Sequence, residues 1–200
     1  MKRILVTGFE PFGGAERNRS WEAVSRLPDR IAGFEIIRLR IPTVFGEGAR
    51  AVMERADEIG ADVILCVGEA GGRTCVTPEV IGINLRDARI PDNAGRQPEG
   101  EPVIPGAEDG CFVSLPVKRM RDAILARGVP CELSYTAGTF VCNDVLFTLL
   151  ERYRGTEKGV GFIHVPAEGI PAERLSGALT AALESLAGEA APSGAGENAT

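Results

Sequence analysis

Three residue types with the chemistry of acyl transfer stand far apart in this sequence: a cysteine, a histidine and a glutamate. Cys142 lies in "SYTAGTFVCND", where Gly-Thr-Phe reads as a turn opening a helix that runs to about Tyr153. A thiol at a helix N-terminus meets the positive end of the dipole and N–H groups without helical acceptors. Both favour the thiolate, the nucleophilic form, so position alone predicts a lowered pKa. The competing reading is a small buried hydrophobe, the common fate of a free cysteine. His164 is the one histidine of the chain and falls near the end of strand-like "VGFIHVP". Sites of open α/β sheets gather beyond the carboxyl ends of strands, although a lone histidine also serves structural roles. Glu79 follows "GGRTCVTP" and opens "VIGINL". A carboxylate there would hold an imidazole in one tautomer and stabilise the imidazolium. Twenty-eight acidic residues compete for that role, so spacing does not distinguish Glu79 from a solvated loop charge.

Two glycine-rich stretches raise a different chemistry. "TGFEPFGG" (Thr7 to Gly14) follows a first strand, as phosphate-cradling loops do, but it has neither G-x-G-x-x-G spacing nor a G-K-[ST] ending. Phe9, Pro11 and Phe12 instead make it a loop presenting apolar faces. "VGEAGGRT" (Val67 to Thr74) is similar, with Glu69 and Arg73 as polar handles. A nucleotide- or phosphate-binding protein with a structural Cys142 therefore stands as the rival reading.

Hydrophobic periodicity gives the elements that must position these groups. Arg3 to Thr7 reads as a strand and Trp21 to Leu27 as a helix. Ile37, Leu39 and Ile41 alternate with arginines in the two-residue period of a half-buried strand. Ala49, Val52, Met53 and Ala56 share one helix face. "DVILCVG" is a continuous apolar run, the signature of a central strand covered on both faces. From Gly71 to Asp109 the chain reads as irregular, with a strand-like piece at Val80 to Leu85; so long a loop region is usually functional. Val117, Met120 and Ile124 mark a helix, "CELSY" a strand, and Val145, Leu146, Leu149 and Leu150 another helical stripe. Leu175, Leu179, Leu183 and Leu186 form a closing helix with Pro171 at its start. Alternating strands and helices predict an α/β fold with helices on both sides of the sheet. The small, polar stretch at 188–200 reads as a disordered tail.

Composition narrows the context. Two hundred residues, 44% hydrophobic and 25% charged, suit one domain with a substantial core. A net charge of −6 without a basic run argues against nucleic acid. The apolar stretch after Lys2-Arg3 is too short for a secretory leader or a membrane span. Five cysteines without a C-x-x-C pair read as reduced thiols in the cytoplasm, and one histidine leaves no His/Cys zinc spacing.

Taken together, "VTGFEPFGG", "SWEAV", "GGRTCVTPEVIGIN", "DARIPDN", "TAGTFVCN" and "GFIHVP" resemble, in order, the cysteine-type pyroglutamyl peptidases (pyrrolidone-carboxylate peptidases). The resemblance runs from about residue 3 to residue 166. It implies a single-domain three-layer α/β/α sandwich with a mixed, mostly parallel sheet, over residues 1–187. It also implies a thiol exopeptidase that removes N-terminal pyroglutamyl residues from peptides, assembles as a tetramer and uses no metal or organic cofactor. The family's nucleophile, histidine and glutamate fall on Cys142, His164 and Glu79. Phe9 and Phe12 match positions that pack on the lactam ring, though ordinary core aromatics would read the same. Arg89, in "DARIPDN", resembles an arginine near the site. Four positions depart from the family pattern. Glu69 replaces a usual glutamine at a position implicated in lactam recognition, which leaves a small-amide hydrolase of altered specificity as a further alternative. Arg19 stands where proline is usual, and Tyr135 and Asp144 where Asn and His are frequent. The charge of Asp144, two residues after the nucleophile, is expected to raise the thiol pKa slightly.

Overall fold

The computed structural model describes residues 1–187; the tail expected over 188–200 lies outside the described residues. Strand β1 (Arg3–Phe9) is buried along nearly its whole length. Helix α1 (Arg19–Val24) follows, then β2 (Arg30–Ile31), β3 (Phe34–Ile41) and helix α2 (Glu47–Ile59). Next come β4 (Val63–Ala70), the short strands β5 (Thr77–Pro78), β6 (Ile81–Ile83) and β7 (Gly110–Phe112), and helix α3 (Val117–Ala126). Helix α4 (Val141–Arg152), strand β8 (Gly159–Pro166) and helix α5 (Ala172–Glu184) complete the described chain.

Six strands form the main sheet in the order β2-β3-β1-β4-β8-β5. The four central strands run parallel, while β2 and β5 close the two edges antiparallel. Because successive strand residues face opposite sides, the apolar runs of β1, β4 and β8 feed two cores at once. Ile4, Val6, Leu65, Val67, Ile163 and Val165 pack in one core, under α1, α3 and α5. Leu5, Phe9, Ile64, Cys66, Val160 and Phe162 pack in the other, under α2 and α4. The result is the three-layer α/β/α sandwich with a mixed, mostly parallel sheet. Gly68 and His164 share the parity of Cys66 and Phe162, so both face the α4 side.

Some elements differ from the periodicity reading. Helix α1 starts earlier, where the Asn18 side chain accepts the Ser20 N–H as a cap, and it ends at Val24 rather than Leu27. Leu27 precedes Pro28, which disfavours helical backbone there. "CELSY" forms no strand of its own; it contributes only the isolated bridges Val76↔Cys131 and Glu79↔Ser134. The strand-like piece at 80–85 shrinks to β6, paired with β7 in a separate two-stranded sheet.

Candidate active site

Phe140 is the N-cap of α4, which makes Cys142 the second residue of the helix. The turn before it bends through Gly138, whose φ of 78° suits glycine. Asn143 ties the helix start to β6: its Oδ1 accepts the Ile83 N–H at 2.9 Å, and its Nδ2 donates to the carbonyls of Ile83 and Leu85 at 2.8 and 3.0 Å. Asp144 is fully buried and paired with Arg86, and its other oxygen accepts the Gly46 N–H at 2.8 Å. The helix carrying Cys142 is thereby pinned to α2 and to the loop that follows β6.

Sulfur approaches the sheet where a side chain is missing. A Cβ on Gly68 would sit 2.8 Å from Cys142 Sγ and 2.9 Å from the Phe162 ring. Gly68 pairs in register with His164 on the neighbouring strand, and paired residues face the same side. The thiol therefore lies over the sheet beside the imidazole. His164 is 4% exposed and rests against Phe162, with ring centroids 4.8 Å apart.

Glu79 arrives through β5. Thr77 pairs with His164, Pro78 with Ile163, and the Glu79 N–H donates to the Phe162 carbonyl at 2.9 Å. That antiparallel register puts the Glu79 side chain on the His164 face, where Oε1 lies 2.7 Å from His164 Nδ1. An acceptor carboxylate at Nδ1 fixes the tautomer with the proton on Nδ1, leaving Nε2 as the basic nitrogen. Glu79 is completely buried, and its Oε1 also accepts from Arg73 Nη1 at 2.6 Å.

The resting electrostatics differ from the expectation drawn from helix position. Burial is the largest influence on the Cys142 thiol and pushes its pKa well above the ordinary value. The Glu79 charge pushes the same way, and Arg73 opposes it. The dipole of α4 is outweighed because the thiolate would stand in an apolar setting facing a carboxylate. Burial likewise holds the His164 imidazole below its ordinary range, against the upward pull of Glu79. Burial thus works against charge on both members of the pair. After burial, the largest influences on the thiol come from Glu79, Cys66, Arg73 and Glu69, while Asp144 is ion-paired with Arg86.

Cys142 and His164 open into one cleft of ≈ 480 Å³, which Phe9, Phe12, Glu69 and Arg89 also line. Phe9 is 2% exposed and packs on Phe162 with centroids 6.2 Å apart, so it is core and cleft wall together. Phe12 packs on Phe140 at 6.0 Å, and Phe45 meets Phe140 edge-on at 5.3 Å. The loop carrying Phe12 is held by its own carbonyls. Glu10 O accepts from Asn18 Nδ2 and Thr43 Oγ1 at 3.1 and 2.9 Å, and Pro11 O accepts from Asn93 Nδ2 at 2.9 Å. Arg89 is exposed at the cleft mouth. Phe140, Thr43 and Asn18 escaped the sequence reading. Only the glycine turn before Phe140 could have pointed to the aromatic.

Glu69 has a partner that the sequence did not reveal. Its Oε2 accepts the backbone N–H of Arg19 at 2.6 Å. A proline at 19 would have no such hydrogen to give, so the departures at 19 and 69 meet in one hydrogen bond. Glu69→Gln keeps an acceptor oxygen and removes a charge that raises the Cys142 thiol. Iodoacetamide should then label Cys142 roughly two- to fivefold faster at neutral pH. Superimposable labelling-rate curves against pH for the two proteins would show that the carboxylate is not sensed by the thiol.

A thiol, an imidazole and a carboxylate meeting at the carboxyl ends of parallel strands define a three-layer α/β/α protein equipped for thiol-based acyl transfer. The pyroglutamyl peptidase family model matches residues 2–187. The pyrrolidone-carboxylate peptidase of Enterococcus faecalis is 47% identical over 167 residues, covering 82% of this chain and 78% of the relative. That of Levilactobacillus brevis is 44% identical over 198 residues, covering 92% and 97%. Among solved structures, pyroglutamyl peptidase I from Bacillus amyloliquefaciens aligns with a TM-score of 0.89 at 39% identity, over 94% of this chain and 96% of that one. Pyrrolidone carboxyl peptidase from Pyrococcus furiosus aligns with a TM-score of 0.86 at 34% identity, over 91% and 96%. The chain belongs to the pyroglutamyl peptidase family.

Proposed function

We propose that this chain removes the N-terminal pyroglutamyl residue from peptides as a cysteine peptidase, through a thioester on Cys142. The observation that carries the reading is a single cleft holding the thiol, the carboxylate-backed imidazole and an aromatic wall, in a chain of this family. His164 Nε2 takes the thiol proton as sulfur attacks the pyroglutamyl carbonyl, and Glu79 stabilises the imidazolium so formed. Because burial works against charge on both partners, the proton leaves sulfur as the C–S bond forms. The imidazolium then protonates the departing amine, and water, deprotonated by the same nitrogen, releases pyroglutamate from sulfur. In this reading the N–H of Cys142 and a neighbouring N–H at the start of α4 bind the oxyanion; one such donor is worth about 3 kcal/mol of barrier.

Pyroglutamate is a neutral cyclic amide, so its recognition calls for apolar walls with a few fixed hydrogen-bonding groups. Phe9, Phe12 and Phe140 supply the walls, Glu69 an acceptor for the lactam N–H, and Arg89 a cation at the mouth. Proline lacks the lactam oxygen and an amide N–H, and would leave those groups unpaired. The test is release of arylamine from pyroglutamyl and prolyl arylamides, before and after iodoacetamide. Rapid release from the first only, by roughly 10⁴-fold, and its loss on alkylation are expected. Comparable cleavage of both, or activity that survives complete Cys142 alkylation, would refute the reading.

The same reading places the protein in the cytoplasm as a homotetramer. Five free cysteines suit a reducing compartment. No helix among the described residues is long and apolar enough to cross a membrane. Phe112 and Tyr135, 70% and 69% exposed, offer apolar surface of the kind that subunit contacts cover.

A further inference from the structure

Arg73 joins three parts of the site that come from separate stretches of chain. Nη1 donates to Glu79 Oε1 at 2.6 Å and also to Thr77 Oγ1 on β5. Nη2 donates to the Thr136 carbonyl at 2.9 Å, in the loop that leads into α4 and Cys142. The arginine is itself only a quarter exposed and borders the cleft. Its partner Glu79 has no exposed surface, and among the described residues Oε2 lacks any hydrogen-bond partner. A carboxylate this buried persists as an anion only when a cation and donors compensate it. Among the described residues, Arg73 is the one arginine or lysine within ion-pairing distance of it.

Resting on the reading above, we propose that Arg73 is a positioning residue for the reaction: it keeps the Glu79 carboxylate charged behind His164 and ties that carboxylate to the loop delivering the nucleophile. Its guanidinium acts through Glu79 and need not touch the substrate. Sharing Oε1 between His164 and Arg73 has a definite consequence for proton uptake. As pH falls, His164 takes up a proton beside the Glu79 carboxylate. A cation alongside disfavours that uptake and delays it to lower pH. The direction agrees with the influence of Arg73 on both His164 and Cys142, which it lowers. Among the described residues, Cys142 from α4, Glu69 from β4, and Asp87 and Arg89 at the mouth line the same cleft, and Cys66 lies on the same face of β4. None of these groups is itself altered when Arg73 alone is substituted.

The experiment compares wild type with Arg73→Met, Arg73→Gln and Arg73→Lys in two measurements. The first is kcat/KM against pH for a pyroglutamyl arylamide. Wild type should lose activity below the ordinary histidine range. Arg73→Met and Arg73→Gln should be about 10²-fold slower, with the acid limb moved to higher pH by about half a unit or more. Arg73→Lys should recover part of the rate and hold the limb close to wild type. The second is the rate of iodoacetamide labelling of Cys142, followed by peptide mass, which needs no substrate. Loss of the cation should slow it about three- to tenfold at neutral pH, and lysine should restore it. A purely structural role would lower the amount of active protein without moving either pH profile. An unmoved acid limb, or unchanged labelling, in the folded charge-loss variants overturns the proposal. Should wild type fail to cleave the arylamide, the functional reading falls while the labelling arm still decides the role of Arg73. Gln at 73 can keep donors for Thr77 and Thr136, so it remains informative if Met prevents folding.

Discussion

Cys142→Ser should abolish turnover, by at least about 10⁴-fold in kcat, while the thermal unfolding transition stays near that of wild type. The size of the loss follows from the resting state of the pair. An imidazole held below its ordinary pKa by burial is a weak base. It can assist a thiol that loses its proton while attacking, but a hydroxyl is several units less acidic. Among the described residues the Cys142 side chain makes no hydrogen bond whose loss would disturb folding, and oxygen is smaller than sulfur. Measuring kcat on a pyroglutamyl arylamide alongside circular dichroism separates the two effects. A serine variant retaining more than a few per cent of the rate would remove Cys142 from the chemistry.

The second large effect belongs to a residue with no functional group. Gly68→Ala would introduce a Cβ 2.8 Å from Sγ and 2.9 Å from the Phe162 ring. Both contacts are closer than real Cβ atoms come, so the sulfur or the ring must move. If sulfur yields, it leaves its place beside His164; if Phe162 yields, it presses on the imidazole 4.8 Å away by centroid. Displacements near 1 Å at a reacting centre cost roughly 10²-fold in rate. Overpacking of this kind costs about 1–3 kcal/mol of stability, or roughly 3–10 °C in melting temperature for a chain of this length. The alanine variant should thus be modestly less stable and at least about 10²-fold slower, the deficit lying in kcat. A normal kcat would mean that the thiol does not need the ground above this strand.

Which of these features could be read beforehand follows from the range of the forces involved. The strands β1, β4 and β8 are short-range patterns, apolar on both faces, and their order along the chain implies a layered sheet. Cys142 and His164 were marked by position, one after a glycine turn and one near a strand end. Glu79 was not: two residues of β5 bring it to His164, and Thr77-Pro78 has no period to recognise. Its place rests on hydrogen bonds to a strand 85 positions away in sequence, and only the likeness of "TPEVIGIN" to the family pointed there. The direction of the thiol shift is likewise not legible from helix position. A helix start is visible in sequence, but the desolvation that overrides it depends on what α4 packs against. The pairing of Arg19 with Glu69 spans 50 residues and was visible only as two unrelated departures. "CELSY" shows the opposite error, since strand-like composition found only single bridging contacts.

Phe9 ends β1, belongs to the apolar layer beneath α2 and α4, and also forms part of the cleft wall. A ring seated in the cleft therefore extends the interior of the molecule, and its binding energy is coupled to the cohesion of the native state. An inhibitor present at a hundred times its Kd would add about 2.7 kcal/mol against unfolding. For this chain, resistance to heat is thus a property of the occupied protein as much as of the polypeptide.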